Sequence, residues 1–290
     1  MSPDINGKDP KPKQICLTDD LMNITKPISA SLDAIINNPR ALIPIGAYYI
    51  AVAVILGVIA ILVPGFWLAK AFFHTGSINP TLLSNIGSSL LVLMLLVAVF
   101  VFYVPSVLLN GIFIGIGKQL RSKSKVNLKQ AAAVAKAKYV DLFFAGILFA
   151  AVAITVIIAF CGLSYLLIQY AKYLWPVAIL SLVVMALLLA ICIIYFFLIN
   201  AAIIIGDNNL EDGIRQSFSI GRAHGLEIFF VLVLMGIIFL IVDIGAAVIA
   251  IIPVLGWAIY FLVSMFLATW FGVLPVFVYY DLTGIKTKHG

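Results

Sequence analysis

The sequence predicts an all-α, polytopic membrane protein: six transmembrane helices arranged as three hairpins, with interfacial helices on the cytoplasmic side. Three observations carry this expectation. Charge-free runs long enough to cross a bilayer recur at residues 41–69, 71–117, 142–171 and 173–206, and between 228 and 280 the single charge is Asp243. Only 10% of residues are charged and 64% are hydrophobic, whereas a soluble domain carries about a quarter charged residues. The same order of parts also recurs three times: a short amphipathic segment, an apolar run, an outer turn with Trp or Pro, and a second apolar run.

The six spans are expected near 41–63, 88–116, 142–169, 177–205, 228–252 and 258–280. About 20 apolar residues cover the hydrocarbon core. No water is present there to pair backbone N–H and C=O, so each span must pair its own groups as a helix. The runs are continuous rather than alternating, which argues against a β-barrel. A polar cytoplasmic leader, expected to be flexible, occupies 1–27. The membrane domain runs over 28–282, with units at 28–118, 127–206 and 209–282, and a cytoplasmic tail covers 283–290. The first apolar run starts late and is too long for a signal-peptide core, so an uncleaved anchor is expected.

The three units begin alike, with Ser31-Leu32-Asp33, Asn127-Leu128-Lys129 and Asn209-Leu210-Glu211. Ser and Asn cap helix N-termini by accepting from free backbone N–H groups. Apolar residues then follow at helical spacing over a polar opposite face, the pattern of a helix lying in the interface. Two lead-ins to the following span match, Val140-Asp141-Leu142-Phe143-Phe144 and Leu226-Glu227-Ile228-Phe229-Phe230. The outer turns carry Trp67, Trp175 and Trp257, at the headgroup level that tryptophan favours.

Charge sets the orientation. Sixteen of the 18 Lys and Arg residues fall in the leader, the second-to-third and fourth-to-fifth connections and the tail; only Lys70 and Lys172 fall opposite. The positive-inside rule then puts both termini in the cytoplasm, within a cell-membrane protein. Lys118, Arg121, Lys123, Lys125 and Lys129 are expected to touch anionic lipid headgroups, with Trp67, Trp175 and Trp257 anchoring at headgroup depth. The basic segment lacks the interleaved aromatics of a nucleic-acid site, so no nucleic-acid partner is expected.

Several polar groups interrupt the apolar runs. Asp243 is the one acidic residue within a span, reading either as an ion- or proton-linked group or as a structural carboxylate. Asn110 and Asn200 occupy similar places near the cytoplasmic ends of the second and fourth spans, and Pro275 stands at the corresponding point of the sixth. An intramembrane Asn is expected to bond across to another helix. Ser164 and Tyr165 lie in the outer half of the third span, as candidate partners of Asp243. Gly111 and Gly115 form a small-xxx-small pair, serving either a dimer face or packing within the chain. Pro105 is expected to kink the second span.

The stretch Leu198-Ile199-Asn200-Ala201-Ala202-Ile203-Ile204-Ile205-Gly206-Asp207, with Gly213-Ile214-Arg215-Gln216-Ser217-Phe218 and Gly221-Arg222, resembles a recurrent pattern in a broad group of six-helix membrane proteins. That group includes the membrane domain joined to some glycerophosphoryl diester phosphodiesterases and uncharacterised prokaryotic inner-membrane proteins. The resemblance implies the fold and transfers no catalytic residue.

Chemistry finds little footing. His74, His224 and His289 are scattered, and no HExxH, GxSxG, P-loop or CxxC occurs. Cys16, Cys161 and Cys192 read as reduced, structural residues. No catalytic residue, metal or cofactor is expected. The leading functional expectation is a non-enzymatic scaffold or accessory protein in envelope or lipid homeostasis. A small transporter or channel with a cavity near Asp243, and a lipid-modifying membrane enzyme, are kept as alternatives. Membrane lipids, a second copy of the chain and another membrane protein are the partners considered.

Overall fold

The computed structural model describes residues 17–55, 57, 102–122, 124–170, 175–252 and 255–285. Every regular element among them is helical. In chain order they are α1 (Leu17–Ile36), α2 (Pro39–Ile55, opening with a 3-10 turn at Pro39–Leu42), α3 (Val104–Arg121), α4 (Leu128–Ala137), α5 (Tyr139–Tyr170), α6 (Trp175–Phe197), α7 (Ile199–Ile205), α8 (Leu210–Ile249) and α9 (Leu255–Thr283).

Among the described residues four stretches are long and apolar enough to cross a membrane: Tyr139–Leu167, Trp175–Ile205, Leu210–Ile249 and Leu255–Thr283. They cover the spans expected at 142–169, 177–205, 228–252 and 258–280. A fifth exists if the pair Thr25–Ile36 and Pro39–Ile55, bent by 94°, is counted as one span. The expected second span is described only from residue 102 onward. The rest of the first hairpin, including Trp67, lies outside the described residues, as does Lys123.

The bend between α1 and α2 falls at Asn38-Pro39. Proline has no N–H to continue a helical ladder, and Asn38 Nδ2 instead donates to Ala34 O at 2.9 Å. Ser31, expected to cap this helix, does not. Helix α1 starts at Leu17, within the segment expected to be a flexible leader, and Ser31 lies fully buried in its interior. The other two expected caps are present. Asn127 Oδ1 accepts from Gln130 N at 3.2 Å and Asn209 Oδ1 from Asp212 N at 2.9 Å. The short helix expected over 209–222 is continuous with the following span in α8, the two parts being divided by a break at His224 (φ −130°, ψ 26°).

Helices α3, α7 and α9 touch one another and form the centre of the described fold. Of the most apolar window of α9, 44% is buried, against 11% for α5 and 17% for α8, so α9 is the central span. The outward Leu, Ile and Phe side chains of α5, α6 and α8 are exposed, as lipid-facing surfaces require.

Small residues bring the remaining helices close. A Cβ on Gly111 would meet Ala135 Cβ at 2.9 Å, and one on Gly115 would meet Ala131 Cα at 3.0 Å. The small-xxx-small pair of α3 is thus filled from within the chain, by α4. On α8, Gly221 lies against the Tyr195 ring and Gly213 against Ile203. Ser217 Oγ donates to Tyr195 O at 2.5 Å, and the Tyr195 and Phe218 rings stack at 4.7 Å. On α1, Ser31 Oγ donates to Ile28 O and accepts from Trp270 Nε1.

Candidate functional site

Proline 105 shapes the site. Its ring denies α3 a backbone N–H and crowds the preceding turn. The chain answers with a π-helical turn at Phe102 and Tyr103, and α3 begins at Val104. Three successive carbonyls there each take a side-chain hydroxyl: Tyr48 Oη donates to Phe102 O at 3.3 Å, Ser106 Oγ to Tyr103 O at 2.7 Å and Tyr139 Oη to Val104 O at 3.3 Å. Away from water, such cross-helix hydroxyls are the donors available to a backbone carbonyl. Tyr103 in turn donates to Phe143 O at 2.8 Å. The break thereby fastens α3 to α2 and α5.

Below this break a crevice of about 240 Å³ opens between α3, the α6–α7 junction and α9. Ser106, Leu109, Asn110, Phe113 and Ile114 line it from α3, Phe197 and Asn200 from the junction, and Ala268, Phe271, Gly272 and Pro275 from α9. The three positions noted as equivalent in the sequence, Asn110, Asn200 and Pro275, therefore meet around one space. None of the described lining residues is titratable. Asn110 is exposed, whereas Asn200 is half-buried and its Oδ1 is a buried acceptor without a partner among the described residues. The cross-helix bond expected of Asn200 is not made by that atom. A buried acceptor left unpaired costs about 1–3 kcal/mol.

Asp243 stands elsewhere. It is half-buried on α8, has no hydrogen bond or ion pair among the described residues, and lines neither this crevice nor the two hollows below. Neither expected partner bonds to it. Ser164 Oγ lies 2.6 Å from Ser181 Oγ, both buried between α5 and α6, and Tyr165 is 62% exposed. The serine pair is a helix-to-helix hydrogen bond.

A second hollow, about 290 Å³, is lined by Pro27, His224, Glu227, Val231, Val278, Asp281 and Leu282. His224 Nδ1 lies 3.1 Å from Glu227 Oε1, one turn further along α8. Read singly, His224 looked isolated in the sequence. The i,i+3 spacing to Glu227 was the available signal, and the break in α8 together with α9 supplies the rest. A third, shallow hollow is lined by Arg215, Phe218, Ser219, Arg222 and Ala223, with Arg215 paired to Glu211 at 2.6 Å.

The loop joining α7 to α8 is held by charge. Lys138 Nζ lies 2.8 Å from Asp207 Oδ1 and also donates to the carbonyls of Asp207 and Asn208. The hydrogen bond and charge of Lys138 hold the Asp207 carboxyl below its ordinary value. Asp141 Oδ1 accepts from Leu210 N at 3.2 Å and so adds to the cap of α8. Among the expected headgroup contacts, Lys118, Lys125 and Lys129 are exposed, and Arg121 is half-buried with its guanidinium 5.7 Å from the centre of the Phe277 ring. Trp175 and Trp257 are 60% and 70% exposed. Among the described residues, no three His, Cys, Asp or Glu side chains are grouped to hold a metal.

The chain matches no protein-family model, no curated protein and no solved structure.

Proposed function

We propose that this chain is a non-enzymatic protein of the cell membrane, built of six spans in three hairpin units with both termini cytoplasmic, and that it serves as a scaffold or accessory protein in lipid or envelope homeostasis. The orientation rests on the sixteen basic residues gathered on one side. The three-unit arrangement is supported by a shared pattern of burial. Each unit's short helix includes a buried pair four residues apart: Ser31 and Ile35, Ala131 and Ala135, Ser217 and Gly221. A third buried residue opens the following span in each case, at Ala41, Leu142 and Ile228.

The partners follow a cycle. The short helix of the second unit packs on α3, the last helix of the first unit. That of the third packs on α6 and α7, the last helices of the second. That of the first packs on α9, the last helix of the third. Three units closed on one another in this way make a frame. In this reading the short helices lie along the cytoplasmic interface and meet anionic headgroups through the neighbouring lysines.

The observation that carries the functional reading is the uncharged crevice at the centre of that frame. Among the described residues its walls hold no acid, base or nucleophile pair to transform a ligand and no charge to escort an ion, so holding a ligand is the chemistry they favour. The test is reconstitution of the purified protein in liposomes, with flux recorded across pH and cation gradients. No flux above protein-free liposomes is expected. Flux abolished by Asp243→Asn in a folded protein would replace this reading with transport.

A further inference from the structure

We infer that the central crevice holds the carbonyl group of an uncharged membrane lipid, which accepts hydrogen bonds from the side-chain amides of Asn200 and Asn110 while its apolar part lies against Phe113, Phe197 and Phe271. This rests on the reading of the chain as a membrane protein that binds without transforming, and it names the chemistry of what is bound. The first ground is the pair of amides. Asn200 is half-buried and lines the opening, with Oδ1 turned inward and without accessible surface. The polar atom it has left for the opening is Nδ2, a donor. On the α3 wall Asn110 is exposed. Neither side chain has a hydrogen-bond partner among the described residues. Ser106, the third polar side chain of the described walls, already commits its proton to Tyr103 O at 2.7 Å. The donors on offer are therefore amides, and an amide is costly to leave unpaired away from water. A carbonyl brings acceptor lone pairs and no donor that would itself need a partner.

The second ground is the walls. Their described residues are aromatic, aliphatic or amide-bearing, with no charged side chain. A carboxylate or phosphate drawn into them would lose its hydration with no opposite charge in return, so the acceptor is a neutral one. The third is depth. Asn110 lies eight residues before Lys118 on α3, about 12 Å along a helix and below the headgroup level that Lys118 is expected to mark. The esters of a phospholipid are held at the interface by its headgroup. A carbonyl that reaches Asn110 belongs to a lipid without one. Phe271 on the rim is 50% exposed, an apolar entrance from the bilayer.

Two sources share this chemistry, a ring carbonyl of the quinone type and a long-chain ester. The full chain is placed in nanodiscs of diether phosphatidylcholine, which brings no carbonyl of its own. Its thermal midpoint is followed by helical circular dichroism with an alkyl benzoquinone, with a long-chain alkyl ester, with the primary alcohol of matching length and with the plain alkane. A carbonyl lipid should raise the midpoint by about 2–4 °C or more, and the one that raises it further names the source. The alcohol and the alkane should not. Asn200→Leu should lose the response. Asn110→Leu, at an exposed position that accepts an apolar side chain, should weaken it. The infrared stretch of the isotope-labelled carbonyl reads the bond itself: it should fall to lower wavenumber on binding. Should Asn200→Leu melt well below the natural chain without lipid, Asn110→Leu and the infrared shift carry the test.

Equal stabilisation by the alcohol or the alkane overturns the assignment, as does the absence of an effect from either carbonyl lipid. So does a carbonyl stretch unmoved on binding, or a full response in a folded Asn200→Leu variant. The lipid is recovered after the melt and chromatographed. Hydrolysis of the ester would sink the non-enzymatic reading and leave the binding site standing, so the two failures are distinguishable.

Discussion

The indole N–H of Trp270 donates to Ser31 Oγ at 2.9 Å, in a buried hydrogen bond that joins α1 to α9 across 239 residues of sequence. Ser31 Oγ in turn donates a hydrogen bond to Ile28 O at 2.8 Å, so both polar groups are satisfied inside an apolar contact. Ser31→Ala would leave the indole donor buried and unpaired, at a cost of about 1–3 kcal/mol. Trp270→Phe removes that donor, so the double variant should be more stable than the sum of the single losses implies. The check is a double-mutant cycle by reversible unfolding in detergent, with a coupling on the order of 1 kcal/mol. Additive single effects would show that the bond contributes nothing.

Gly115 is the less forgiving of the two glycines facing α4. A Cβ there meets the Ala131 backbone, which cannot swing aside as a side chain can. Gly115→Leu should destabilise the protein by about 1–3 kcal/mol through overpacking. It should leave the molar mass of the purified particle unchanged, because the pair is occupied within the chain. Light scattering and a thermal melt read the two quantities. A change of mass with normal stability would assign the glycines to a dimer face.

Tyr139 ties α5 to the start of α3. Tyr139→Phe takes the donor from Val104 O and should cost about 0.5–1.5 kcal/mol. The N–H regained by Pro105→Ala points one turn back along the helix and not at Val104 O, so the same substitution should cost as much in that background, read by reversible unfolding in detergent. A clearly smaller loss there would couple Tyr139 to the proline break.

The Lys138–Asp207 pair gives a pH dependence of known sign. The Asp207 carboxyl is held below its ordinary value near 3.8. Its contribution to stability is therefore complete above that value and is lost as pH falls through the lowered one. Because Asp207 is exposed, the effect is small and weakens with salt. Asp207 also holds the left-handed backbone at φ 53°, which Asn tolerates better than most residues. Asp207→Asn should thus flatten the acid limb without disturbing the turn. Amide exchange across residues 206–210 between pH 3 and 6 would measure it; an acid limb unchanged in the variant would rule the pair out as its cause.

Sidedness can be tested without any structure. In a background free of Cys16, Cys161 and Cys192, Ser77→Cys and Ser124→Cys should label from opposite sides of sealed vesicles. Labelling of both from one side would reject the proposed topology.

Much of the fold was legible because hydrocarbon leaves few options. A charge-free run such as 173–206 is a helix or it is not in the membrane, and Trp175–Ile205 is such a helix. The Asn127 and Asn209 caps were equally plain, each being a short polar acceptor before an apolar run. Ser31 had the same appearance and a different role. Nothing local separates a capping serine from one whose partner, Trp270, lies near the other end of the chain. The break at His224 carries no proline to announce it. The crevice was half legible: the equivalence of Asn110, Asn200 and Pro275 could be seen along the chain, but their convergence depends on how α3, α7 and α9 cross.

The contact of α1 with α9 also sets an order of events. At roughly 5–20 residues per second, the 239 residues between Ser31 and Trp270 take on the order of ten to fifty seconds to synthesise. Through that interval α1 can meet α3 and α8, but the face that takes Trp270 is uncovered, and the cycle of short helices stands open at one joint. Closure waits for α9. A chain stopped before Leu255 would leave α1 without the surface that holds Ser31, however well the intervening spans had inserted. A helix made long after α1 is thus the one that completes it.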